Sequence, residues 1–180
     1  MKSLTVLTAL TVAALLSTAQ PAAAAAKTVD QDVSEALRAL NVRIQLVEKL
    51  GGDALRISVA VSGEKATLTG HVSKAASKGL AEQVALSVDG IKKVDNNVTD
   101  NASAGVVDVT EAAVKNVALE LKVKSVLLGE IGTNALKIEV EAVDGVVSLR
   151  GKPTSPDTAK AAVSKVKASK GVKKVVNLLD

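Results

Sequence analysis

Three glycines, Gly51, Gly70 and Gly90, return 81 positions later as Gly132, Gly151 and Gly171, and the residues between them stay in register without a gap. Ala54-Leu55-Arg56-Ile57-Ser58-Val59 matches Ala135-Leu136-Lys137-Ile138-Glu139-Val140, and Gly90-Ile91-Lys92-Lys93-Val94 matches Gly171-Val172-Lys173-Lys174-Val175. The chain is therefore an internal duplication, and any fold assigned to one copy has to serve the other. Each copy spans about 70 residues, near the lower limit for folding alone without disulfides, so the two units gain by packing together.

Within a copy the hydrophobic period changes twice. Val33, Leu37, Leu40, Ile44 and Val47 recur at helical spacing, as do Val114, Val117, Ala118, Leu121, Ser125 and Leu128, so each copy opens with an amphipathic helix that ends near Gly51 or Gly132. Leu55, Ile57, Val59 and Val61 then alternate with Arg56, Ser58 and Ala60, the pattern of a strand with one buried face. Asp144-Gly145 is a hairpin signal in copy two, where copy one has Ser62-Gly63-Glu64 and predicts a turn of different detail. A second helix follows, with Leu80, Val84 and Val88 on one side in copy one and Ala162, Val163 and Val166 in copy two. A third strand closes each unit, over Ile91–Val98 and Val172–Leu179. The expected class is α+β: two tandem units of order helix, strand, strand, helix, strand, each a three-stranded mixed sheet covered by two helices. Leu37, Leu40, Ile57, Val59, Leu68 and Val94 are expected in one core. Ala118, Leu121, Ile138, Val140, Leu149 and Val175 are expected in the other.

Ahead of the first unit, Met1-Lys2-Ser3 precedes an apolar run from Leu4 to Leu16 and an alanine string ending at Ala26. The run is about 13 residues against the roughly 20 of a spanning helix, and the three parts read as a cleaved secretory signal. Residues 1–26 are thus the expected signal peptide, 27–99 the first unit, 100–108 a polar linker and 109–180 the second unit. No Cys is available for a lipid anchor, so the expected mature protein is periplasmic and touches membrane only peripherally.

The unit order and two strings, Ile138-Glu139-Val140-Glu141-Ala142-Val143-Asp144-Gly145-Val146-Val147-Ser148-Leu149-Arg150-Gly151 and Gly171-Val172-Lys173-Lys174-Val175-Val176-Asn177, resemble the BON domain. The resemblance covers nearly all of the mature chain and is strongest to the dual-BON periplasmic proteins of Gram-negative bacteria. It implies a non-catalytic envelope protein associated with osmotic protection, outer-membrane integrity and binding of anionic phospholipid. Copy one departs from the family pattern at Glu64, in place of a turn glycine, and copy two at Pro153, which stands at an apolar position.

Composition narrows the chemistry. With no Phe, Tyr or Trp, the core is aliphatic and the chain has no stacking platform for single-stranded nucleic acid. With no Cys and a single His, disulfides, thiol chemistry and soft-metal sites are excluded, and no cofactor is implied. His71 could act as a base toward Ser73 or Ser77, but no orienting carboxylate or oxyanion hole is evident in the spacing, and a surface or capping role fits better. Asp30, Asp32 and Glu35 fall at a helix start, where acids suit the dipole. Glu139, Glu141 and Asp144 alternate on a strand's exposed side, so neither acidic set predicts a metal or catalytic site.

Charge separates the copies. Residues 27–100 hold ten basic and ten acidic residues, and residues 101–180 hold twelve and nine. Lys160, Lys165, Lys167, Lys170, Lys173 and Lys174 crowd the second helix of copy two and the approach to its last strand. On its first helix, a core face through Val114, Val117, Leu121 and Leu128 leaves Lys115, Leu119, Lys122, Val123 and Val126 outward, where copy one has Ser34, Arg38, Asn41, Val42 and Gln45. Lysine mixed with aliphatics is a surface that something should cover: the first copy, a second chain, a membrane surface or a client protein. The BON resemblance points to the same helix as the lipid contact. Lys115, Leu119, Lys122 and Val126 are accordingly the expected lipid- or partner-binding residues. The function expected is non-enzymatic envelope-stress protection through weak binding of anionic phospholipid. The alternative is a chaperone-like or scaffolding protein for envelope proteins.

Overall fold

A computed structural model describes residues 28–100 and 109–180; the signal read in residues 1–26 and the linker beyond Asp100 lie outside them. The first unit runs α1 (Val29–Leu50), a 3-10 turn (Gly51–Arg56), β1 (Ile57–Ser62), β2 (Lys65–Val72), α2 (Ala75–Leu86) and β3 (Lys93–Asp100). The second repeats it as α3 (Glu111–Ile131), a 3-10 turn (Gly132–Lys137), β4 (Ile138–Val143), β5 (Val146–Gly151), α4 (Pro156–Lys167) and β6 (Lys174–Leu179). Each sheet has its hairpin strands antiparallel and its third strand parallel to the second, in the order β1-β2-β3 and β4-β5-β6. This is the α+β arrangement expected, with one addition: the residues leading into β1 and β4 form a 3-10 turn, so each strand starts at Ile57 or Ile138 rather than at the preceding leucine.

Local chemistry explains the boundaries. Thr28 and Gln31 form a capping box on α1, and Thr110 caps α3 by accepting from the Ala113 N–H. Gly51 and Gly132 end the two helices at φ +58° and +55°, a conformation open to glycine at little cost. The hairpin turns differ as the residues imply. Asp144 and Gly145 both have positive φ, as a type I′ turn requires, whereas in copy one only Gly63 does. In β5, pairing stops at Gly151, two residues sooner than the equivalent point in β2.

The cores correct the sequence reading. Val42, Leu46 and Val47 of α1 are buried on their own sheet, and the equivalent Val123, Leu127 and Leu128 of α3 are buried on theirs. Val33, Ala36, Leu37 and Leu40 instead reach the second unit's core, while Val114, Val117, Ala118 and Leu121 reach the first unit's. Leu37 is therefore not in the first core, and Ala118 and Leu121 are not in the second; only Leu40 touches both. Val42 lies about two and a half turns beyond Val33, on the opposite side of the helix. Each helix thus adds a second apolar face in its later half, at Val42 and Leu46 or Val123 and Leu127, while Val47 and Leu128 stay on the side of Val33 and Val114, and a single averaged face misses it. The exchange is isologous: the same four positions of each copy cross to the other, as in a two-fold dimer interface. It extends both cores where no aromatic ring is available. Of the residues expected inward, Val84 and Val88 are buried but Leu80 is 41% exposed, and α2 completes its inner face with Ala81 and Ala85.

Candidate functional site: a groove on the outer side of α3

Three of the four expected site residues line one groove of about 1160 Å3. Val114, Ala118 and Leu119 of α3 line it, together with the end of α1 at Val47, Glu48 and Gly51, the hairpin turn Asp144-Gly145, and Lys170, Gly171 and Lys173 before β6. Lys115, Leu119 and Lys122 are among the lining residues; Val126 is not, and stands apart at 39% exposure. Val123, read as outward, is fully buried in the second core, and its copy-one equivalent Val42 is buried likewise. Leu119 is half-buried and packs against the second core, its outer side turned to the groove near Gly171.

The lysines of the groove fall into two kinds. Lys115 pairs with Glu111 one turn back at 2.6 Å, and the hydrogen bond and charge of Lys115 hold the Glu111 carboxyl below its ordinary pKa. Lys122 meets Glu48 of α1 at 2.7 Å, tying the two units. Both pairs are largely solvent-exposed and add little to stability. Lys170 and Lys173 have no ion-pair partner among the described residues. With four lysines against Glu48, Glu111 and Asp144, the groove carries a net positive charge, and the uncompensated part sits on the β6 rim.

The equivalent surface of the first copy carries different side chains. Arg38 is the equivalent of Leu119; it lies against Gly90, and its Nη1 donates to the Gly63 carbonyl at 2.8 Å. Glu35 accepts from the Gly63 N–H, and its equivalent Asn116 accepts from the Asp144 N–H, so the tie from helix to hairpin is common to both copies. Lys92 pairs with Glu64 at 2.6 Å, but in copy two Glu64 has become Gly145, which leaves the equivalent Lys173 unpaired. Asp89 has become Lys170. Besides Lys115 and Lys122, which stand where copy one has Ser34 and Asn41, three differences make the copy-two surface more basic and less covered: Leu119 in place of Arg38, Gly145 in place of Glu64 and Lys170 in place of Asp89. Lys170 and Lys173 were visible in the sequence only as part of a lysine run. Comparing the copies position by position is the signal that singles them out.

His71 does not engage the serines. The hydroxyls of Ser73 and Ser77 both donate to Asp53 at 2.8 Å, and the Ser73 N–H donates to it as well. In copy two the Thr154 hydroxyl donates to Asn134 at 2.9 Å, at the same repeat positions. The cluster is a clip that ties the 3-10 turn to the start of the second helix. Burial raises the Asp53 pKa, but the bonds from Ser73 and Ser77 and the charge of Arg56 outweigh it and hold the carboxyl below its ordinary value. The clip's contribution is complete above the ordinary carboxylate pKa of about 4 and is lost as pH falls through the lower folded value. The difference in melting temperature between the unsubstituted protein and Asp53→Asn is therefore expected to change below about pH 4 and to be flat above it. A difference that stays constant into acid would show that Asp53 does not titrate as the clip requires. Among the described residues no cluster of three His, Cys, Asp or Glu could hold a metal, and no helix is long and apolar enough to cross a membrane.

The fold and groove define a tandem αββαβ protein that presents a basic, apolar-floored surface on the first helix of its second unit. The chain belongs to the BON domain family, which matches residues 34–100 and 115–180. It is 31% identical over 140 residues to the Osmotically-inducible protein Y of Escherichia coli (strain K12), covering 76% of this chain and 67% of that one. It is 29% identical over 125 residues to an "Uncharacterized protein in gshII 5'region" of Anaplasma centrale, covering 67% and 78%. Among solved structures it is similar to the C-terminal domain of CdsD, a structural protein of the type III secretion system of Chlamydia trachomatis. That likeness has 15% identity and a TM-score of 0.29, covering 76% of this chain and 94% of that one, and carries no functional weight.

Proposed function

We propose that this protein acts without catalysis in the bacterial envelope under osmotic stress, by weak contact of the α3 groove with anionic phospholipid surfaces. In this reading residues 1–26 export the chain to the periplasm and are removed. The similarity to an osmotically inducible protein supports the setting. The observation that carries the contact is the groove on α3, with Lys170 and Lys173 free of ion-pair partners among the described residues on its rim and Leu119 lining it. Each lysine near an anionic surface contributes on the order of 1 kcal/mol, so a handful gives weak, salt-sensitive attachment.

Co-sedimentation with phosphatidylglycerol vesicles tests this reading, with phosphatidylcholine vesicles and raised salt as contrasts. Binding is expected to phosphatidylglycerol only and to weaken with salt, because exposed charges are screened beyond about 8 Å at 0.15 M. Lys170→Glu with Lys173→Glu should cut it by about tenfold or more, and Lys115→Glu with Lys122→Glu by less, since those lysines already have acidic partners. Leu119→Arg restores the residue of copy one. It should weaken binding despite the added charge, because the groove is filled. Binding indifferent to salt and to charge reversal but lost on Leu119→Ser would instead favour capture of unfolded envelope proteins.

A further inference from the structure

A second groove, of about 320 Å3, lies on the opposite side of the helix pair, where α1 and α3 cross. Leu40 and Arg43 of α1, Lys124 of α3, and Val59 and Ile138 from the first strands of the two sheets line it. Arg43 and Lys124 hold the same position in the repeat, so the pseudo-two-fold crossing brings two cations to one groove. No acidic residue lines it, and neither cation has a hydrogen bond or ion pair among the described residues. Arg43 is half-buried, and its Nε is shielded from solvent without a hydrogen-bond partner. A guanidinium partly withdrawn from water with no acid beside it is poorly compensated, and an anion in the groove would offset its charge. The other lining residues are aliphatic, and Leu136, 73% exposed, stands at the edge of the groove.

We propose that this groove binds a small carboxylate carrying a short aliphatic chain. The planar guanidinium of Arg43 suits a carboxylate head, and Lys124 adds charge from the solvent side. The chain lies along Leu40, Val59 and Ile138. The volume stands at the low end of the roughly 300–1,000 Å3 of small-molecule sites, room for one short chain rather than a two-chain lipid. The site is independent of the α3 outer groove and of the function proposed for it.

Octanoate is the probe, titrated into the full chain and followed by calorimetry and by the methyl resonances of Val59 and Ile138. Saturable binding that shifts both methyls is expected, with octanol and acetate each weaker by about tenfold or more, since each lacks one half of the recognition. Arg43→Gln should weaken octanoate binding about tenfold, and Lys124→Gln by less because Lys124 is exposed. Lys170→Glu with Lys173→Glu should leave it unchanged, which separates this site from the outer groove. No binding up to about 10 mM, octanol binding as well as octanoate, or undiminished binding by Arg43→Gln would overturn the proposal. If Arg43→Gln fails to fold, the methyl shifts of the unsubstituted protein decide: shifts at Val59 and Ile138 support the site, and their absence rejects it.

Discussion

Gly70→Ala and Gly151→Ala are each expected to destabilise the protein by at least about 3 kcal/mol, a large share of the roughly 5–15 kcal/mol of a typical domain. Both glycines sit at positive φ, +124° and +139°, where an L side chain is strained. A Cβ at Gly70 would also be driven into the Arg56 carbonyl oxygen, and one at Gly151 into that of Lys137. Those carbonyls belong to the backbone just before β1 and β4, whose first residues pair with the two glycines, so neither can swing away as a side chain could. Gly79 in α2 and Gly129 in α3 are the controls: nothing lies within 4 Å of a Cβ at either, and alanine there should be neutral or stabilising by up to about 1 kcal/mol. Denaturant melts of the four variants decide the matter. Gly70→Ala melting like Gly79→Ala would mean that the backbone approach at the end of the hairpin is wrong.

Leu121→Ala is expected to cost about 2–5 kcal/mol, the usual range for emptying a buried leucine site. Where the loss is felt is the sharper test. Leu121 belongs to the second unit by sequence, but its side chain is buried in the core of the first. Hydrogen exchange should therefore speed up in β1, β2 and α1 of the first unit as well as in α3. The two units should also unfold in one transition, since α1 and α3 each complete the other's core. Loss of protection confined to residues 109–180 would contradict the exchange of helix faces.

Much of this was legible in the chain itself, for a physical reason. The order of elements, the mixed three-stranded sheets, the helix ends at Gly51 and Gly132 and the different hairpin turns all follow from rules that act over a few residues: period, capping and the conformational freedom of glycine. The duplication made each reading twice testable. The site was half legible. Lys115, Leu119 and Lys122 do line one groove, because a helix presents residues at a spacing of three and four along one side. Val126 falls outside it because the groove's walls, the Asp144-Gly145 turn and the Lys170–Lys173 approach to β6, reach only the first half of α3.

By itself, then, the sequence determined that there are two like units, what elements each contains in what order, and which copy carries the excess positive charge. Tertiary structure alone decided which core each apolar side chain enters. Helical periodicity marks a face as apolar but cannot say whether its own sheet or the neighbouring unit will cover it: Val33, on the face read as core, enters the other unit's core, and Val42, on the face read as outward, is buried in its own. It also decided which lysines are free, since Lys122 is matched by Glu48 from α1 while Lys173 meets no acid, a difference set by residues far apart in the chain. And it alone brought Arg43 and Lys124 to one groove, because a position repeated in sequence becomes a neighbour in space only where the two copies meet about a two-fold axis.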